Sequence, residues 1–172
     1  MPPGSLLDDC RRDGAYADCY VAEVDHPVTQ AQFVAAFYTT WAFRLERLVL
    51  RWWVSRPSTD AEARALASGD ADTFAAWRVA GRRNDEILLA DFTGRTRSWL
   101  KSMPLAGIST GGVPGRPRTR LFFGSAVIPR PHPVTARPSP GGKFNALLGF
   151  HRLYSRILLR AACRRTTSPD LR

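Results

Sequence analysis

The chain has 172 residues, 44% of them apolar, which suffices for one domain with a real core and excludes a wholly disordered polymer. Its formal net charge of +10 is unevenly placed: residues 116–172 hold twelve Lys/Arg against the single acid Asp170, while thirteen bases and fourteen acids nearly cancel over residues 1–115. Three cysteines without CxxC spacing (Cys10, Cys19, Cys163) argue against a zinc site or a disulfide framework, and no uncharged apolar run reaches the ~18 residues of a transmembrane helix.

In chain order, residues 1–14 read as a flexible leader, 15–164 as a single α+β domain and 165–172 as a flexible tail. The leader lacks a basic segment followed by an apolar run, so it is not a secretory signal, and the expected address is cytoplasmic. "YADCYVAEV" (16–24) alternates as a strand. "DHPVTQAQF" opens a helix that carries Phe33, Ala36, Phe37, Thr40 and Trp41 at helical spacing. A second helical piece spans 43–54 and stops at Pro57, with Arg44, Arg47 and Arg51 down one side. Residues 58–70 then carry Ser58 or Thr59 as a cap, early acids, and Gly69 just past the end.

The texture changes after residue 70. Stretches 73–82, 86–92, 95–103 and 119–128 read as four strands, the first three joined by the turn signals "RRND" and "TG". Two longer connections, 104–117 and the proline-rich 129–142, separate the last strand from its neighbours. A terminal helix follows over about 143–164. Its arginines 152, 156, 160 and 164 fall in one row. Leu147, Phe150, His151, Tyr154, Ile157, Leu158 and Ala161 form the apolar face expected to lie on the sheet. The fold class is therefore α+β: an antiparallel sheet with N-terminal helices and a long C-terminal helix packed on it.

Few residues carry chemical signals. On the strand "TGRTRSWL", Arg95, Arg97 and Trp99 share one parity, an arrangement suited to an acidic or flat ligand, while Asp91 is placed to pair with Arg95 or Arg97 across the hairpin. Gly124 within a strand points to a close backbone approach, expected from the terminal helix and its Gly149. His151, Tyr154 and Ser155 share a helix neighbourhood, but no acid lies between Lys143 and Asp170 to orient a base, so catalysis is not the expected role. There is no phosphate loop, dinucleotide fingerprint, zinc spacing or nucleic-acid module, and no cofactor is called for.

Strand, helices, antiparallel strands and long terminal helix, in that order over residues 16–164, resemble the helix-grip arrangement of the START-like superfamily of lipid-transfer proteins and polyketide cyclases. The resemblance is one of topology. It implies a curved sheet gripping the terminal helix with an apolar ligand between them, and hence a binding protein more than an enzyme. The expected lining is Phe37, Trp41, Trp77, Trp99, Phe123, Phe150, His151 and Tyr154, with Arg95 or Arg97 holding an anionic head group. The alternative is a peripheral interaction protein whose basic C-terminal third meets anionic lipid or nucleic acid, weakly and with strong salt dependence.

Overall fold

The computed structural model describes residues 1–43, 59–107, 115–129 and 142–168, with side chains from Arg152 onward in the last stretch. The protein is α+β, as its sequence pattern predicts. Six antiparallel strands, β1 (Tyr16–Val24), β2 (Thr73–Phe74), β3 (Trp77–Arg83), β4 (Glu86–Asp91), β5 (Thr96–Leu105) and β6 (Arg118–Val127), form one sheet in the order β1-β6-β5-β4-β3-β2. Helices α1 (Leu6–Arg12), α2 (Gln30–Tyr38), α3 (Asp60–Ser68) and α4 (Gly142–Arg165) accompany it among the described residues. The helical piece expected over 43–54, with Arg44, Arg47 and Arg51, falls beyond Phe43 outside the described residues.

Local chemistry sets most element ends. Thr29 and Gln32 close a reciprocal capping box on α2, and Thr59 and Glu62 do the same on α3. Gly69 ends α3 in the left-handed region at φ 94°, where a side chain is strained. Asn84 and Asp85 make the two-residue turn between β3 and β4. The stretch expected as one strand over 73–82 is broken after Phe74, where Ala75 takes φ 52°, and the register shifts again between Val79 and Gly81.

Strand alternation divides the core in two. Ile87, Leu89, Leu100, Leu121 and Phe123 face α2, α3 and α4, where they meet Phe33, Phe37, Tyr38, Leu66 and Leu158. Leu88, Trp99, Phe122 and Ala126 face the other way and close over Leu7 of α1. Residues 1–14 thus include a short helix that packs on the sheet. Ser5 caps α1 by accepting the Asp8 amide at 3.2 Å, and Asp8–Asp9 and Arg11–Arg12 sit at the helix ends that suit their charges. A seven-residue helix is too short to persist alone, and the complete burial of Leu7 against the sheet is what holds it.

Gly124 does mark a close approach, but α1 makes it. A Cβ added there would lie 2.3 Å from Leu7 Cδ2 and 2.8 Å from the Asp18 carbonyl oxygen. Helix α4 lies instead against α2, β1 and β6. Its orientation also differs from the expected face: Ser155, Leu158, Leu159 and Ala162 are buried, whereas Ile157 is 37% exposed. The arginine row 152, 156, 160 and 164 faces solvent as its spacing predicts.

Candidate functional site

Between the sheet and α4 lies a cavity of about 190 Å³. Its aromatic wall combines Phe37 from α2, Phe43, Trp77 from β3, Phe123 from β6 and Tyr154 from α4. Phe37 and Phe123 touch directly, with ring centroids 4.7 Å apart. Hydroxyls interrupt this wall: Thr96 and Ser98 on β5, Ser125 on β6 and Ser155 on α4. Ser98 and Ser125 are paired across the β5–β6 ladder, so one face of the sheet presents them side by side.

Two of these hydroxyls are accounted for. Ser98 Oγ shares a hydrogen bond with the Tyr38 hydroxyl at 3.1 Å, and Ser125 Oγ donates to Asp18 Oδ1 at 2.7 Å. Two other polar atoms on cavity-lining residues are not. Trp77 Nε1 and Ser155 Oγ are buried without a hydrogen-bond partner among the described residues. Such a group costs roughly 1–3 kcal/mol when left unsatisfied, and most buried polar atoms in folded proteins find a partner. Their coincidence in one cavity is the least expected polar feature of this core.

Tyr20 of β1 closes one side of the same region. Its ring stacks on Phe123 at 6.4 Å and its hydroxyl donates to Asp18 Oδ2 at 3.1 Å. Burial first, then the negative charge of Asp18 and this hydrogen bond, push the phenol up to about 12, against smaller opposing effects of Ser155 and Arg152. Ser155 Oγ therefore lies near enough to favour the phenolate, without hydrogen-bond geometry. The folded state holds the Tyr20 proton more tightly than the unfolded chain. The resulting stability is complete below pH 10 and is lost as pH rises through about 12. Ultraviolet titration should accordingly show Tyr20 ionising late, and Asp18→Asn should bring it earlier. A titration curve that Asp18→Asn leaves unchanged while the protein remains folded would contradict the Asp18–Tyr20 contact.

The structure distributes the expected ligand residues over several places. Phe37, Trp77, Phe123 and Tyr154 meet in the cavity. Trp99 does not: it is fully buried on the opposite face of the sheet, its Nε1 donating to Glu86 Oε2 at 2.7 Å. Trp41 is 63% exposed and lines a separate groove. Arg97 reaches the cavity rim, where its Nη1 donates to the Gly94 carbonyl at 2.6 Å and its charge acts on Cys10 of α1. Arg95 is exposed; its amide donates to Asp91 Oδ1 at 2.8 Å and its carbonyl accepts from the Ile128 amide at 2.8 Å. The side chains of Phe150 and His151 lie outside the described residues.

Asp91 works as a turn former. Burial raises its carboxyl, but the Thr93 hydroxyl and the amides of Thr96 and Arg95 outweigh that and hold it below the usual range. Among the described residues no group of three His, Cys, Asp or Glu side chains is placed to hold a metal ion. Burial pushes all three thiols up, Cys163 to about 11, which leaves them poor nucleophiles near neutral pH. Among the described residues Ser155 Oγ has no hydrogen-bond partner of the kind that activates a serine nucleophile.

Sequence reading passed over Thr96, Ser98, Ser125 and Ser155 as lining residues. Strand parity offered a signal for two of them: Ser98 shares its side with Leu100, and Ser125 with Phe123. No protein-family model and no curated protein matches the chain. The cavity is therefore the ground for a functional reading.

Proposed function

We propose that the cavity between the sheet and α4 binds a small amphipathic molecule, in the manner of the helix-grip proteins that the element order resembles. The observation that carries this reading is a pair of buried polar atoms without partners among the described residues, Trp77 Nε1 and Ser155 Oγ, on residues lining one aromatic-walled space. An indole N–H only donates, so the ligand needs an acceptor; a serine hydroxyl takes either role. A site of about 150 Å³ is enough for benzene. The 190 Å³ here thus suits a single ring or short chain bearing one hydroxyl, carbonyl or carboxylate. A long acyl chain does not fit that volume.

Orphaned groups give the reading a signature that mere core packing lacks. Ser155→Ala removes an unsatisfied hydroxyl and should raise stability by about 1 kcal/mol, while weakening ligand binding. Phenol, benzyl alcohol and hexanoate are suitable probes. A ligand at one hundred times its Kd adds ~2.7 kcal/mol. In a chain of this size that raises Tm by roughly 5–10 °C. The same ligand should shift tryptophan emission, and Trp77→Phe should remove most of that shift. If no probe moves either Tm or emission, and Ser155→Ala destabilises the protein, the cavity is only part of the core.

A further inference from the structure

The outer face of α4 has a composition that the cavity does not explain. Leu153 is 59% and Ile157 is 37% exposed, one turn apart, and Trp41 stands beside Ile157 at 63% exposure. Around them Arg152, Arg156, Arg160 and Arg164 are all exposed. Three large apolar side chains set among guanidiniums are not a solvated face of the ordinary kind, which would surround them with neutralising acids. No acid occurs from Lys143 through Arg165.

We propose that this face docks on an anionic lipid surface, with a phosphate head group seated in the groove between the end of α2 and the end of α4. That groove has a volume of about 470 Å³ and is bounded by Thr40, Trp41, Ile157, Arg160, Arg164 and Arg165. No aspartate or glutamate is among its described lining residues. Two helix C-termini meet there, each equivalent to roughly half a negative charge. Three arginines outweigh them, leaving a local charge of about +2. Arg165 is partly committed, its Nε donating to Thr39 Oγ1 at 2.7 Å, whereas the guanidinium groups of Arg160 and Arg164 have no hydrogen bond or ion pair among the described residues.

The apolar members decide which polyanion fits. A nucleic-acid backbone satisfies arginines but gains nothing from exposed Leu153 and Ile157. A lipid surface takes both: aliphatic side chains enter the acyl boundary, an indole rests at head-group level, and the arginines meet phosphate. A second copy of the chain is disfavoured, because a two-fold contact would set the arginine rows against each other. Among the described residues no helix is long and apolar enough to cross a membrane, so this docking lies flat on the surface. The inference stands apart from the cavity and survives its failure.

The test is co-sedimentation of the full chain at ~0.15 M salt, where long-range attraction is largely screened. Vesicles of phosphatidylcholine alone are compared with vesicles of equal parts phosphatidylcholine and phosphatidylglycerol. Binding is expected only to the second, with a blue shift of Trp41 emission that Trp41→Phe removes. The double variant Arg160→Gln, Arg164→Gln should bind about thirtyfold more weakly. Leu153→Ser with Ile157→Ser should also lose vesicle binding, yet leave retention on an RNA duplex at low salt unchanged. All four positions are exposed, so thermal melting is expected to stay at the parent value and report that the variants fold. The proposal is overturned if the anionic vesicles fail to retain the protein, if the serine pair binds them like the parent, or if the RNA duplex retains it equally at the same salt.

Discussion

Leu158→Asp is expected to abolish cooperative folding near room temperature or to leave only a fraction of the parent stability. Leu158 is 2% exposed and belongs to the core shared by α4, α2 and the sheet. An aspartate there either holds an unpaired charge in apolar surroundings or must take up a proton to enter. Either route costs several kcal/mol. Domains of this size have only about 5–15 kcal/mol in total. Leu158→Ala separates the loss of packing from the charge, with an expected cost of about 2–5 kcal/mol. Urea unfolding of the three proteins measures both. Equal midpoints for parent and aspartate variant would mean that α4 does not bury this side chain.

A second large effect is expected at Glu86, on the other side of the sheet. Its carboxylate is 1% exposed and serves three donors: the Leu6 amide at 3.1 Å, Trp99 Nε1 at 2.7 Å and Arg83 Nη1 at 2.7 Å. Glu86→Ala orphans the first two in a buried setting, at roughly 1–3 kcal/mol each. The same change removes the link between the start of α1 and β4. The expected outcome is a stability loss of about 2–5 kcal/mol, together with new protease cleavage within residues 1–14. Glu86→Gln keeps an acceptor for the indole and should lose less. A variant that resists protease like the parent, with an unchanged unfolding midpoint, would show that Leu7 alone anchors α1. Because Arg83 is half exposed, its ion pair with Glu86 contributes the smaller share.

Glu86 shows why some of the structure was illegible in one dimension. Within "EILLADF" it reads as an ordinary polar residue at a strand start. Its role exists only because α1, eighty positions earlier, and Trp99, thirteen later, arrive at the same point. Helix α1 was hidden for a related reason: seven residues carry too little propensity to be distinguished from a loop without the burial of Leu7. By contrast, β1, α2, α3 and the β3–β4 turn were legible because each is specified by neighbours in sequence: alternation, a threonine cap with its partner three residues on, a left-handed glycine, and a two-residue polar turn. The strand expected over 73–82 was less legible, because at Ala75 backbone conformation interrupts an otherwise continuous pattern.

For the candidate site the division runs through individual strands. Period-two alternation by itself put Arg97 and Trp99 on one side of β5, and Ser98 and Leu100 on the other. Which side receives the three longer helices is a tertiary choice, and it sent Trp99 to α1 and Ser98 to the cavity. The same holds for α4. Its sequence determined a long helix with an exposed arginine row, because charges at spacing four must share a face. It did not determine the rotation about the helix axis, because apolar residues lie on both flanks of that row. Contact with α2, β1 and β6 settled it by burying Ser155, Leu158, Leu159 and Ala162, and so left Leu153 and Ile157 facing outward beside the arginines.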